Sequence, residues 1–195
     1  MNEIIDLGKI ELKAWKTYMS QDGLFDIFIG IMLCTLAVQA FYYNIWFTSF
    51  IFVGILVVTL GKILITTPRI GLVSFGNRRM SKQLIMMLGL LIVFLLMLSL
   101  YYLSASGNES AETVQRIAFP AFIATIFVIV AFFLDYVRLG IYGVLFASTE
   151  VLREVYGESV RDIAITVLGI FTLMVGFYIF IRFIKKYPLP EKEGI

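Results

Sequence analysis

Between Leu84 and Leu103 the chain runs for twenty residues without a charged side chain. An α-helix of that length covers about 30 Å, the thickness of a bilayer's hydrocarbon core. Three other stretches, Leu24 to Tyr43, Ile45 to Ile65 and Ile163 to Ile184, are nearly as apolar. A further apolar stretch from Ile117 to Leu152 is broken only by Asp135 and Arg138 near its middle. It is too long for one ordinary span, and it reads as two: Ile117 to Leu134, a tight hairpin turn, then a shorter span from Leu139 to about Val155. Across all 195 residues, 60% are hydrophobic and only 15% charged, with a mean hydropathy of +0.92. A water-soluble domain needs more polar surface than this, so a soluble enzyme, a nucleic-acid binder and a disordered chain are excluded. The predicted class is all-α: a polytopic integral membrane protein with six transmembrane helices.

Lysine and arginine beside membrane spans tend to remain cytoplasmic. With six spans and both termini inside, 13 of the 16 basic residues fall on the cytoplasmic side, leaving Arg116, Arg153 and Arg161 outside. Five spans would carry Arg182, Lys185, Lys186 and Lys192 outward, against that rule. The predicted location is therefore the cell membrane, multi-pass, with both ends cytoplasmic. Before the first span, Glu3, Asp6, Lys9, Lys13 and Lys16 recur at helical spacing opposite Ile5, Leu12, Trp15 and Met19. That pattern predicts an amphipathic interfacial helix over residues 1–22. Residues 23–187 then form the transmembrane domain, with a basic cytoplasmic loop at 66–82, and 188–195 form a short cytoplasmic tail.

Glycines lie seven residues apart in three spans: Gly23 and Gly30, Gly54 and Gly61, Gly169 and Gly176. Two helical turns are about 7.2 residues, so each pair lines one face and admits a neighbouring backbone; these are predicted packing seams. The segments from Gly23 to Gly30 and from Gly169 to Gly176 also resemble each other, as inverted repeats do in some transporters. In the loop and just before it, Lys62, Arg69, Arg78, Arg79 and Lys82 form a cluster that no acidic residue dilutes. It is predicted to contact anionic lipid headgroups or an anionic ligand, and Leu72 to Phe75 has strand-like content suited to a short hairpin. Asp22 and Asp26 at the inner end of the first span, with Asp135 and Arg138 in the hairpin turn, are candidates for charge pairing; one of the carboxylates is expected to meet Arg69 or Arg138. Glu150 and Glu154, four apart, define an acidic outer face that could concentrate cations. Pro120 is placed in the first turn of the fourth span, where its missing N–H costs least.

The chain has no histidine and one cysteine, Cys34. No metal-ligand set, nucleophile with a base, or phosphate-binding glycine loop appears, so no cofactor, metal or catalytic residue is predicted. An enzyme acting on lipid headgroups through Asp22, Asp26 or Asp135 is the one catalytic class left open. The leading functional expectation is a small transport or channel component that binds or moves a solute between helices. The alternative is a membrane-embedded regulator or scaffold, engaging anionic lipids or a cytoplasmic partner through its N-terminal helix and basic loop. Expected partners are membrane lipids and either further copies of the chain or a partner membrane subunit, not nucleic acid.

Overall fold

The computed structural model describes residues 15–42, 49–70, 77–106 and 109–189, and every regular element among them is helical. A helical segment at 15–20 (α1) is followed by α2 (Leu24–Tyr42), α3 (Ser49–Gly61), a π-helical turn (Lys62–Thr66) and α4 (Thr67–Ile70). Then come α5 (Asn77–Ala105), α6 (Glu109–Leu134), α7 (Val137–Tyr156) and α8 (Glu158–Lys186). Five helical stretches are long and apolar enough to cross a membrane: Trp15–Gln39, Phe52–Ile70, Ser81–Ala105, Thr113–Leu134 and Glu158–Lys186. The predicted fifth span, α7, has the length but carries Arg138, Glu150, Arg153 and Glu154.

Several predicted boundaries shift. The second span runs on through the π turn and α4 to Ile70, and α5 already begins at Asn77, so most of the expected 66–82 loop is helix. Hydropathy marks where a helix is apolar, whereas helical hydrogen bonding continues past that limit. The strand-like residues Leu72 to Phe75, most of the expected amphipathic helix and the end of the tail lie outside the described residues. Pro120 stands eleven residues inside α6 rather than in its first turn, and its missing N–H leaves the Arg116 carbonyl without the usual intrahelical donor.

The chain forms two compact units, Met1–Phe75 with Thr166–Ile195 and Gly76–Ile165. In the first, α2 lies between α3 and α8. The glycine pairs of α2 and α8 meet on one antiparallel interface: a Cβ on Gly30 would lie 2.7 Å from the Leu173 amide nitrogen, and one on Gly176 would lie 2.6 Å from that of Ile27. Gly169 faces Cys34 and Leu33 in the same seam. On the opposite flank, Gly54 faces the ring of Phe28 and Gly61 faces Leu24. Leu33 and Ala37, 1% and 2% exposed, are the centre of this packing. Close backbone approach of this kind stabilises helix pairs through dispersion, with no need for a hydrophobic drive.

In the second unit α7 returns along α6. Gly140 faces Ala131, Gly143 faces Phe127, and Arg116 reaches Glu154 at 3.8 Å. The reversal needs only two residues. Asp135, at φ 55, donates its N–H to Phe132, and Tyr136 donates to Ala131 at 2.8 Å; this is a Schellman cap with aspartate in the left-handed position that glycine usually takes. The α7–α8 break falls at Gly157, with φ 90 and ψ 175, a region open essentially to glycine alone.

These environments predict a graded alanine series. Gly89→Ala, where an added Cβ meets nothing within 4 Å, should leave stability unchanged or raise it by up to about 1 kcal/mol. Gly157→Ala, equally uncrowded, should cost about 1–3 kcal/mol through backbone strain alone. Gly30→Ala should cost about 1–3 kcal/mol through overpacking against Leu173. Unfolding in mixed micelles, titrated with a denaturing detergent, ranks the three.

Candidate functional site

The most unusual polar feature of the first unit lies where α1 turns into α2. Asp22 is fully buried, and its Oδ1 accepts the Leu24 N–H at 3.2 Å in a turn that starts α2, a local bond that aspartate side chains favour. Its Oδ2 accepts two further bonds, from Lys62 Nζ at 2.8 Å and from the Thr66 hydroxyl at 3.0 Å. Lys62 also donates to the Tyr18 carbonyl. Its ammonium stands 4.5 Å from the centre of the Tyr18 ring and 4.9 Å from that of Phe25, close enough for cation–π attraction. Only 8% of the Lys62 side chain is exposed. Both charges are thus withdrawn from solvent and held by each other, two aromatic faces and three neutral hydrogen-bonding groups.

The local sequence explains how α3 presents these groups. Lys62 and Thr66 are four apart, so they share one helical face. They bracket the π turn, in which the Thr67 N–H bonds back five residues to the Lys62 carbonyl and the Thr67 hydroxyl reaches the same oxygen at 2.8 Å. An inserted residue of this kind widens the helix and often marks a functional position. Gly61, immediately before, lets α3 come close to Leu24. Gly23, at φ 74 and with the Gly176 carbonyl 2.5 Å from where a Cβ would stand, makes the turn that aims Asp22 across at α3.

One sequence expectation is corrected here. Lys62, expected among the surface cations, is buried against Asp22, because the helix continues eight residues past it to Ile70. Asp22 is held by Lys62 rather than by Arg69. Arg69 is half-buried and donates to the Ile65 carbonyl at 3.0 Å, and Arg138 lies over the Tyr136 ring at 5.2 Å. Asp26, also fully buried, sits in the first turn of α2, where the helix dipole favours an anion. Lys82 is exposed near the start of α5, and the side chains of Arg78 and Arg79 lie outside the described residues.

The acidic face on α7 is neutralised rather than open. Arg153 bridges Glu150 at 3.3 Å and Glu154 at 3.0 Å, and Arg116 of α6 approaches Glu154. Arg161 pairs with Asp162 at 2.8 Å. A small hollow of about 300 Å³ lies between Gln115, Arg116, Phe119 and Arg153. Hydroxyls elsewhere in the spans bond to their own helices: Thr35 to Ile31, Thr59 to Ile55, Thr125 to Ala121, Ser148 to Val144 and Thr172 to Leu168. Satisfied in this way, they require no polar path between helices. Among the described residues, no three histidine, cysteine, aspartate or glutamate side chains come together to hold a metal ion.

No protein-family model matches this chain, and neither a curated protein nor a solved structure matches it at a significant level. The chemistry of Asp22, Lys62 and Thr66 therefore stands on its own geometry.

Breaking a buried ion pair strands one charge, whereas removing both charges does not. Asp22→Asn and Lys62→Met should each lower unfolding stability by about 3–5 kcal/mol, while the double variant should recover most of that loss. Thr66→Val should cost about 1 kcal/mol, the value of one hydrogen bond. Additive losses in the double variant, measured by detergent-titrated unfolding, would contradict the pairing.

Proposed function

We propose that this chain is a small membrane transport component in which the Asp22–Lys62 pair is the ion-responsive element. One observation carries the reading: a lysine and an aspartate, both buried, lie within stretches apolar enough to span a bilayer. Ionisable groups at such depth are expensive, and where they occur they commonly serve substrate, ion or proton pathways. Asp22 is held by Lys62, so a cation or proton arriving at the carboxylate competes with the lysine for it. Release of Lys62 would loosen the contact between α3 and the α1–α2 turn, and the π turn beside it supplies a place for the helix to readjust. The moving elements would be α2 and α3, since the pair ties one to the other.

The proposed topology is six crossings with both ends cytoplasmic. Support for the sixth comes from α7, whose 20 residues match the bilayer in length. It runs antiparallel beside α6 from the Asp135 turn to the Arg116–Glu154 contact, so it covers the same depth as its neighbour. Arg138, Arg153 and Glu154 lie within four residues of an end of α7, and Glu150, nearer the middle, is paired with Arg153.

Liposome reconstitution tests the transport reading. Purified protein should accelerate the flux of protons, a monovalent cation, an inorganic anion or a small neutral solute above protein-free vesicles. Asp22→Asn should change that flux by at least about tenfold, with Lys62→Met shifting its cation dependence. Folded, correctly inserted protein that moves none of the four probes would overturn the reading.

A further inference from the structure

The two flanks of α2 are packed in different ways. Toward α8, a Cβ added at any of the four seam glycines would meet backbone: the Leu173 nitrogen 2.7 Å from Gly30, the Ile27 nitrogen 2.6 Å from Gly176, the Phe180 nitrogen 2.8 Å from Gly23 and the Cys34 nitrogen 3.0 Å from Gly169. Exchanging the two helices carries Leu173 on Gly30 into Ile27 on Gly176, and Phe180 on Gly23 into Cys34 on Gly169. The similar segments Gly23 to Gly30 and Gly169 to Gly176 therefore meet as an inverted repeat about a local two-fold axis. From Gly23 to Cys34 the backbones are pinned together over about 16 Å. Toward α3 the nearest atoms are side-chain atoms instead: the Phe28 ring 2.8 Å from a Cβ on Gly54, and the Leu24 methyls 3.0 and 3.2 Å from one on Gly61. A side-chain end yields by rotating about its own bonds, whereas backbone yields only if the helix moves.

The ion pair bridges the more compliant flank. Asp22 directly precedes Gly23, the level at which α2 comes closest to the α8 backbone, so the carboxylate is mounted on the α2–α8 side. Lys62 and Thr66, which hold it, continue α3. The other face of this helix is turned outward, with Phe52, Leu56, Ile63 and Leu64 all more than half exposed. The π turn at Lys62–Thr66 lies at the ion-pair end, where the winding of the helix can readjust. We propose that α2 and α8 form one rigid body and that α3 is a gate latched to it by Asp22 and Lys62. When the pair opens, α3 tilts about the Phe28–Gly54 contact and its Lys62 end moves away from α2, while the α2–α8 seam keeps its register. A cleft then forms between α2 and α3 with the carboxylate in its wall. This gate would exist whether or not the chain moves a solute, so the distances below and the liposome flux fail independently.

Spin-label distances in lipid nanodiscs, on a Cys34→Ala background, test the gate. Labels replacing Leu64 and Tyr178 report the Lys62 end of α3 against α8, and labels replacing Phe52 and Phe171 report its other end; all four positions are exposed. Labels replacing Val38 and Tyr178 report α2 against α8. In the double variant Asp22→Asn with Lys62→Met, which strands no charge, the first distance should change by about 2–5 Å, the second by less, and the third should hold. No change in the first, a larger change in the second, or an equal change in the third overturns the proposal. Two single variants decide the same question without touching the ion pair. Gly61→Ala should keep the unfolding midpoint close to that of the unsubstituted chain, because only the Leu24 side chain must move, whereas Gly176→Ala should lower it, because the Ile27 backbone is in the way. Equal losses in the two would show that the flanks do not differ, and the gate would have no compliant side.

Discussion

Everything in this molecule follows from the mismatch between its surface and water. Along α5 no residue from Ser81 to Ala105 is buried by protein, yet Leu84, Met87, Phe94 and Tyr102 are all more than half exposed. Similar apolar faces run along α3 and α8. Exposed apolar surface on this scale marks contact with another apolar phase. If that phase is hydrocarbon, each backbone N–H and C=O must be satisfied within the chain, and continuous helices do this without help from neighbours. The helical fold, the back-bonded hydroxyls and the scarcity of charge answer the same constraint.

A solvent that gives helices no hydrophobic reason to associate changes what holds them together. In the first unit that role falls to close approach and to a single ionic contact. The seven-residue glycine pairs of α2 and α8 interleave on one interface, so the backbones meet where side chains would otherwise keep them apart. At the α1–α2 turn the Asp22–Lys62 pair adds a directional link to α3. The same low dielectric that makes each charge costly when alone strengthens their attraction when paired, and Thr66, Leu24 and Tyr18 complete the hydrogen bonding. In the second unit small residues at Gly140 and Gly143 serve a similar purpose, but the ionic contacts cluster at the far end of the α6–α7 hairpin, around Arg153.

Much of this was legible in the residues. Long apolar runs marked the helices, the seven-residue glycine spacing marked faces suited to close packing, and Asp135 with Arg138 marked the place where α6 turns into α7. Other features were hidden for physical reasons. Lys62 reads as one more interfacial cation because the apolar run stops three residues beyond it, at Ile65; a helix ends only where its hydrogen bonding stops, and here that is Ile70. Its partner Asp22 lies 40 positions away, and no local pattern joins them. The π turn leaves no periodic trace in five residues. Pro120 reads as a helix start only if the charged residues before it are assigned to a loop, whereas Glu109 to Arg116 continue the same helix. The acidic stretch on α7 resembled an open face because Arg153 and Arg116 become its partners only once α6 and α7 pack together.

If hydrocarbon surrounds the protein, lipid rather than water covers the face of α5 that α6 leaves exposed. Hydrogen–deuterium exchange in lipid nanodiscs addresses this directly, because no side chain from Ser81 to Ala105 is buried by protein, whereas α2 is packed on two flanks. Under a lipid cover, the amides from Leu84 to Leu103 exchange as slowly as those in the middle of α2. Exchange in α5 as fast as in a solvated surface helix, while α2 stays protected, would contradict it.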